Sequence, residues 1–121
     1  MKQVLIVDDS AMVRNIVALA LKMQNYEVTQ ASDGLEALEK VAEMRFDFGI
    51  FDVNMPNISG LELIPKVLAT DNGKDMKIVM LTTESSDEMR AQAQKSGAKA
   101  WIVKPFENEN LLALLQGLDT K

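Results

Sequence analysis

The 121-residue sequence predicts a single α/β domain built from five βα units. Three observations lead to this prediction. Short apolar runs alternate with amphipathic stretches along the chain. Most of these runs are continuous rather than alternating, which is typical of strands buried on both faces of a parallel sheet. Residues that start and stop helices separate the runs. Right-handed crossovers between parallel strands then place helices on both faces of the sheet.

The five apolar runs are the predicted strands. They are Val4–Val7, Val28–Ala31, Phe48–Val53, Ile78–Leu81 and Ala100–Val103. The second run is the weakest of the five.

Apolar residues three or four positions apart predict the buried faces of the first two helices. These faces comprise Val13, Ile16, Val17 and Ala20 in the first helix, and Leu35, Leu38, Val41 and Ala42 in the second.

Helix punctuation supports the same register. Capping boxes are predicted at Ser59–Glu62 and Ser85–Glu88, and Asp33–Glu36 has the same pattern with Asp in the first position. Asn72–Gly73 and Gly97 are the predicted ends of the third and fourth helices.

The composition excludes several classes of function. The net charge of -5 argues against nonspecific binding to nucleic acid, which needs a basic surface. The absence of histidine excludes a His-based catalytic triad, imidazole zinc sites and a phosphohistidine on this chain, and the absence of cysteine excludes disulfides. No apolar run is long enough to span a membrane, and the N-terminus does not resemble a secretory signal. We therefore expect a cytoplasmic protein with no membrane association.

Polar side chains follow four of the predicted strands. They are Asp8 and Asp9 after the first strand, Asp52 and Asn54 after the third, Thr82, Thr83 and Glu84 after the fourth, and Lys104 after the fifth. In open α/β sheets, ligands bind beyond the carboxyl ends of the strands. We therefore expect these side chains to converge on one edge of the sheet.

The acidic members of this set predict a cation site. Asp8, Asp9 and Asp52 would repel one another, and one divalent cation together with Lys104 would balance their charges. Oxygen ligands favour Mg²⁺, with Mn²⁺ as the alternative, and disfavour zinc. A metal, a carboxylate, a hydroxyl and a lysine suit phosphoryl transfer, in which Asp can be the nucleophile. Because the chain lacks the GxxxxGK[ST] and GxGxxG motifs, the phosphoryl group must come from another molecule.

Four segments resemble the receiver domain of two-component response regulators, and in particular its CheY-like single-domain class. They are VLIVDDS at 4–10, DVNMPNISG at 52–60, MLTTE at 80–84 and VKPF at 103–106. They occur in the family's order and spacing. The resemblance implies one receiver domain over residues 1–121, with a flavodoxin-like three-layer fold and a five-stranded parallel sheet in the order 2-1-3-4-5.

The resemblance also implies a role for each matching position at the sheet edge. Asp52 is the expected phosphoacceptor. Asp8, Asp9, Asp52 and the backbone carbonyl of Asn54 are the expected Mg²⁺ ligands. Lys104 is expected to bind a phosphoryl oxygen, and the peptide bond that follows it is expected to be cis.

A conformational switch is implied as well. Thr82 is expected to move toward the phosphoryl group, and Trp101 to follow it inward, which changes the surface of helix four, strand five and helix five. Trp101 stands where the family usually has Tyr or Phe, so its inward movement is expected to be less complete or differently coupled. The positions expected to modulate the site are Asn54, Met55, Thr83 and Glu84.

The expected function is a phosphorylation-activated switch rather than an ordinary enzyme, although it would help to catalyse its own phosphorylation and dephosphorylation. The expected phosphoryl donor is a CheA-like histidine kinase, and the expected pathway is bacterial chemotaxis. Because few residues remain after helix five, a monomer would present its own surface to a target such as a flagellar motor component, and a phosphatase is a further candidate partner.

Two alternative functions remain open, and a third is disfavoured. The chain could be a phosphorelay intermediate that passes its phosphoryl group to a histidine phosphotransfer protein. It could be the receiver fragment of a longer regulator. An Asp-nucleophile phosphatase is disfavoured, because Asn54 stands where such enzymes have a second Asp.

Overall fold

Strands and helices alternate along the chain in the computed structural model, which describes residues 1–83 and 86–119. The elements are β1 (Gln3–Val7), α1 (Ala11–Lys22), β2 (Glu27–Ala31), α2 (Gly34–Glu43), β3 (Phe48–Phe51), α3 (Gly60–Leu68), β4 (Lys77–Thr82), α4 (Asp87–Ser96), β5 (Ala100–Val103) and α5 (Asn108–Asp119). The strands form one parallel sheet in the order β2-β1-β3-β4-β5. The predicted fold class and strand order are confirmed. Within the described residues, no helix is both long and apolar enough to cross a bilayer.

Two apolar clusters cover the two faces of the sheet. Leu5 and Val7 of β1 pack on one face in a cluster with residues of α2, α3 and α4, whereas Val4 and Ile6 pack on the other with residues of α1 and α5. Successive side chains of a strand point to opposite faces. Because both faces are covered by helices, β1 is apolar at every buried position, which explains why its sequence is a continuous run rather than an alternating one.

The predicted buried faces of the first two helices are partly wrong. Ile16 is 49% exposed and lies outside the core, whereas the predicted Val17 and Ala20 are buried, together with Ala18 and Leu21. The predicted Val13 is partly buried against the core. In α2, Leu35 is 51% exposed and Ala42 is exposed. The small residues Gly34 and Ala37 are buried together with Val41. The buried face of α2 is therefore made largely of small residues, and the larger Leu35 lies outside it.

The predicted start of α3 is confirmed. The Ser59 hydroxyl accepts a hydrogen bond from the backbone N–H of Glu62, whose carboxylate accepts one from the N–H of Ser59. This reciprocal pair satisfies two N–H groups that have no partner within the helix. At α2, the Asp33 carboxylate likewise accepts from the N–H of Glu36. At α4, Ser86 is the N-cap and accepts from the N–H of Met89, and Ser85 lies outside the described residues.

The end of α3 differs from the prediction. The helix ends at Leu68, before Asn72–Gly73. Thr70 lies just beyond this end, and its hydroxyl donates to the carbonyl of Val67 at 2.7 Å and accepts from the N–H of Gly73 at 2.9 Å. The side chain thus adds a partner to the Val67 carbonyl, which also accepts from the N–H of Thr70 at 3.1 Å. The predicted end of α4 is confirmed, since Gly97 has a φ of 119°.

Candidate functional site

Three carboxylates meet at the carboxyl edge of the sheet. One oxygen each from Asp8, Asp9 and Asp52 lies within 4.8 Å of the others. The register explains this, because Val7 of β1 is paired with Phe51 of β3, and each is followed by an aspartate. Asp8 and Asp52 are buried, whereas Asp9 is exposed. The cluster therefore has two inner carboxylates and one at the solvent side.

Asp8 is held by its backbone and by its carboxylate. Its N–H donates to the carbonyl of Ala31 at 3.2 Å, which continues the pairing of β1 with β2. Its carboxylate accepts from the N–H of Ser10 at 2.9 Å. Its carbonyl accepts from the guanidinium of Arg14 at 2.6 Å. These contacts fix Asp8 against the first turn of α1.

Lys104 supplies positive charge inside the cluster. Its ammonium lies 2.8 Å from Oδ2 of Asp8 and 3.5 Å from Oδ2 of Asp52. The backbone N–H of Lys104 donates to the backbone carbonyl of Thr82 at 2.8 Å, just beyond the last residue pair of β4 and β5. The Lys104–Pro105 peptide bond is cis, as expected.

Asp52 has the perturbed carboxyl group of the site. Burial raises its pKa above the ordinary value, and the charge of Asp8 raises it further. The charge of Lys104 and hydrogen bonds from the Thr82 hydroxyl and the backbone N–H of Asn54 lower the pKa, but they do not cancel the increase. The ionised form of Asp52 is therefore held in an unfavourable environment that further positive charge would relieve.

The remaining predicted residues surround this centre at different depths. Thr82 is fully buried beside Asp52, whereas Thr83 is exposed. Asn54 is exposed and Met55 is half-buried. Trp101 lies in β5, away from the carboxylates, and packs against the cluster formed with α2, α3 and α4. Glu84 lies outside the described residues.

The donor set fits a hard divalent cation. Within the described residues, the cluster offers carboxylate oxygens, and the chain contains neither histidine nor cysteine. Mg²⁺ and Mn²⁺ prefer such oxygen ligands, and the exposed side of Asp9 leaves room for the waters that Mg²⁺ retains. Burial first, and then the charge of Asp8, raises the pKa of Asp52, and Lys104 alone does not offset these two effects.

Two residues that shape the site were not predicted as members of it. Arg14 contacts the carbonyl of Asp8 from α1, a contact that a sequence pattern does not reveal. Gly60 begins α3 next to the carbonyl oxygen of Asp52, and a Cβ at this position would overlap with that oxygen. The Gly60 N–H donates to the carbonyl of Val53 at 2.9 Å, which ties α3 to the segment that follows Asp52.

Comparisons with known proteins agree with this geometry. The family model of the response regulator receiver domain matches residues 4–116. The chemotaxis protein CheY4 of Vibrio cholerae is 46% identical, with a TM-score of 0.91 over 96% of this chain and 97% of that chain. The response regulator TrrA of Thermotoga maritima, solved in complex with Mg²⁺ and BeF, is 33% identical, with a TM-score of 0.85 over 98% of this chain and 99% of that chain.

A longer relative shows the same similarity over part of its length. Response regulator MprA of Mycobacterium leprae is 39% identical over 96% of this chain, which spans 50% of that protein. The family model covers nearly the whole chain, and both CheY4 and TrrA are similar over nearly all of it. The chain therefore belongs to the family of response regulator receiver domains.

Proposed function

We propose that residues 1–121 form a receiver switch in which Asp52 accepts a phosphoryl group from a partner histidine kinase. Receiver domains take phosphoryl groups from histidine kinases and bind Mg²⁺ at an acidic site. The observation that carries the proposal is the approach of Asp8, Asp9 and Asp52 within 4.8 Å, with the Lys104 ammonium at 2.8 and 3.5 Å from two of them. This arrangement is suited to an acceptor that must tolerate added negative charge.

The transfer step uses the Asp52 carboxylate as the nucleophile. A carboxylate oxygen of Asp52 forms a bond to phosphorus while the bond from phosphorus to the donor's histidine nitrogen breaks, and the nitrogen retains that electron pair. Lys104 and the hydroxyl of Thr82 both contact the Asp52 carboxylate, so both can donate to phosphoryl oxygens bound there. Asp8, Asp9, Asp52 and the carbonyl of Asn54 would hold Mg²⁺. When bound, the cation supplies positive charge that offsets the carboxylates and the phosphoryl oxygens.

The proposed output is a change around β5. Thr82 is paired with Val103 in β5, two residues beyond Trp101. A phosphoryl group on Asp52 that takes over the hydrogen bond of the Thr82 hydroxyl from the carboxylate would therefore act on the strand that carries Trp101. Trp101 also lines a cleft of about 220 Å³ between α4 and β5, next to Arg90 and Lys99. We propose that the target binds to the surface of α4, β5 and α5 and that Trp101 reports its state.

Chemotaxis is the proposed pathway. Identity to CheY4 is 46% over nearly the whole of that chain, higher than the 39% to MprA, of which half is covered. A CheA-like kinase, a flagellar motor target, a phosphatase and a cytoplasmic location belong to this proposal. The similarity to MprA favours a second candidate, in which the chain is the receiver of a longer response regulator.

Phosphorylation by a small donor tests the acceptor. The chain is incubated with acetyl phosphate and Mg²⁺, and the modified residue is located by mass spectrometry after borohydride trapping. We expect one phosphoryl group on Asp52, loss of labelling in Asp52→Asn, and normal labelling in Asp71→Asn, which alters an exposed carboxylate outside the cluster. Equal labelling of Asp52→Asn, or labelling that is unaffected by EDTA, would reject the proposal. Binding to a flagellar motor component with and without beryllofluoride then separates the two pathway candidates.

A further inference from the structure

The backbone carbonyl of Asp8 is held by a side chain with no role in the function described so far. Nη1 of Arg14 donates to this carbonyl at 2.6 Å, and Nε of Arg14 donates to Oε1 of Gln30 at 3.2 Å. Nε2 of Gln30 donates in turn to Oδ1 of Asn15 at 3.4 Å. Arg14 and Asn15 belong to α1, and Gln30 belongs to β2. The half-buried guanidinium therefore links a helix, a strand and the acidic turn.

The position of this contact matters for Asp9. The Asp8 carbonyl belongs to the peptide group that joins Asp8 to Asp9, so its direction fixes the plane from which the Asp9 residue extends. Asp8 has further anchors in its N–H and its carboxylate. Asp9 is exposed, and its carboxylate must still point toward those of Asp8 and Asp52 to complete the cluster. Holding the peptide plane is a direct way to hold Asp9 in that direction.

Charge alone predicts the opposite role for Arg14. A guanidinium near an acidic site repels a cation, so its removal by itself would strengthen cation binding. The guanidinium instead donates to neutral oxygens, the carbonyl of Asp8 and the amide of Gln30. Loss of Arg14 should therefore weaken cation binding if its hydrogen bonds matter most, and strengthen it if its charge matters most. A binding measurement can distinguish these two roles.

We propose that Arg14 is a positioning residue that orients the Asp8–Asp9 peptide so that Asp9 can take part in divalent cation binding. The inference rests on the proposed receiver function, because it concerns the same cation site. Residues that orient metal ligands typically change metal affinity by about 10- to 100-fold when they are lost. Gln30 of β2 accepts a hydrogen bond from Arg14 and so acts on the Asp8–Asp9 peptide only through Arg14.

The test measures Mn²⁺ binding to the whole chain by electron paramagnetic resonance of the free ion. Arg14→Met removes the charge and both hydrogen bonds. Lys22→Met removes the same charge from an exposed position at the other end of α1 and serves as the control. Gln30→Met keeps the charge and removes only the outer support, and Arg14→Lys keeps the charge and one donor. Thermal unfolding checks that each variant is folded.

We expect Arg14→Met to weaken Mn²⁺ binding about tenfold or more. We expect Lys22→Met to change it by less than about twofold, because exposed charges at that distance are screened. Gln30→Met and Arg14→Lys should lie between these limits. With acetyl phosphate as donor, Arg14→Met should require more Mg²⁺ for half-maximal labelling but reach the rate of the unmodified chain at saturation.

Several outcomes would overturn the inference. Unchanged or tighter Mn²⁺ binding in folded Arg14→Met would show that its charge, and not its geometry, dominates. A labelling rate that stays low at saturating Mg²⁺ would also reject a role in cation binding. If Arg14→Met does not fold, unchanged binding in Gln30→Met rejects the inference. If the unmodified chain itself does not bind Mn²⁺, the cation site of the proposed function fails with it, so the two failures are distinguishable.

Discussion

The ammonium of Lys104 lies 2.8 Å from Oδ2 of Asp8, closer than its 3.5 Å separation from Oδ2 of Asp52. The two side chains are 96 residues apart in sequence and belong to the ends of β5 and β1. Both are largely buried, with 15% of the Lys104 side chain and 3% of the Asp8 side chain exposed. Removing one partner of a largely buried ion pair destabilises the fold, because the other partner is left as a buried charge without a counter-charge.

Replacing Lys104 with methionine should therefore destabilise the chain in EDTA. We expect the free energy of unfolding at pH 7 to fall by about 2 kcal/mol, since Asp8 and Asp52 would lose their shared cation. The loss should shrink at acidic pH, because protonation of Asp52, whose pKa is raised, removes a negative charge that Lys104 offsets. Urea unfolding at both pH values checks this, with the exposed Lys99→Met as the control. A loss of equal size at both pH values would contradict the electrostatic explanation.

Asp52→Asn should have the opposite effect on stability. Burial and the charge of Asp8 raise the pKa of Asp52, so the folded chain binds this proton more tightly than the unfolded chain does. Ionisation of Asp52 therefore costs stability as the pH rises from the unfolded pKa through the folded pKa, and the cost is complete above it. In EDTA at pH 7, we expect Asp52→Asn to raise Tm by about 4 °C, or about 1 kcal/mol for a domain of this size.

The pH dependence of that gain is the decisive measurement. It should disappear below about pH 3.9, where Asp52 is protonated in both states of the unmodified chain. Asp71→Asn should leave Tm nearly unchanged across the range, since its carboxylate is exposed. A Tm of Asp52→Asn that is lower than that of the unmodified chain at pH 7 would show that attraction to Lys104 outweighs burial.

Added Mg²⁺ should stabilise the unmodified chain. A ligand that binds only the folded state raises the free energy of unfolding by about 2.7 kcal/mol at 100 times its Kd. Asp9→Asn should remove most of this increase, because it removes one of the three clustered carboxylates without emptying the core. The exposed Glu43→Gln on α2 is the control. Equal stabilisation of both variants in thermal unfolding would place the bound Mg²⁺ elsewhere on the surface.

The sequence predicted the edge of the sheet better than the faces of its helices. Continuous apolar runs indicate strands covered on both sides, and the residues that follow them must share an edge whatever the details of packing. Whether Ile16 or Leu35 is buried cannot be predicted in the same way, because it depends on how each helix packs against the sheet. Both are about half exposed, whereas their neighbours Val17 and Gly34 are buried.

Contacts between side chains and backbone atoms could likewise not be predicted from the sequence. Arg14 holds the carbonyl of Asp8, and Thr70 ends α3 through the carbonyl of Val67. Any arginine or threonine near a turn could make such a bond, so residue type alone does not indicate it. Position in the folded chain decides which one does.

Gly60 should tolerate no side chain, because α3 begins against the carbonyl of Asp52. A Cβ there would overlap with that oxygen, whereas a Cβ at Gly117 of α5 would meet no atom of the described residues within 4 Å outside its own turn of helix. We expect Gly60→Ala to lower the free energy of unfolding by about 3 kcal/mol, as overpacking does. Gly117→Ala should raise it by about 0.5 to 1 kcal/mol through helix propensity. Urea unfolding of both variants compares them directly, and similar effects of the two substitutions would contradict the close approach.

Thr82 and Thr83 are adjacent but have opposite surroundings, which allows the proposed switch to be tested with little change in shape. Thr82 is buried and its hydroxyl contacts the Asp52 carboxylate, whereas Thr83 is exposed. Valine has nearly the size of threonine but lacks the hydroxyl, so Thr82→Val removes the proposed link to the phosphoryl group.

Trp101 is the single tryptophan of the chain, and its fluorescence therefore reports the environment of β5 without a label. Beryllofluoride with Mg²⁺ should change the emission of the unmodified chain and of Thr83→Val, because the bound group takes over the hydrogen bond of the Thr82 hydroxyl from the Asp52 carboxylate and alters the packing of Trp101. In Thr82→Val, we expect beryllofluoride to bind within about tenfold of its normal affinity, since loss of one hydrogen bond costs about 1 kcal/mol, but to leave the emission nearly unchanged. Binding is followed separately by ¹⁹F NMR. Thr82→Val could instead bind beryllofluoride and still show the full change in emission. Trp101 would then respond through a route that does not include the Thr82 hydroxyl, and the proposed switch would be rejected.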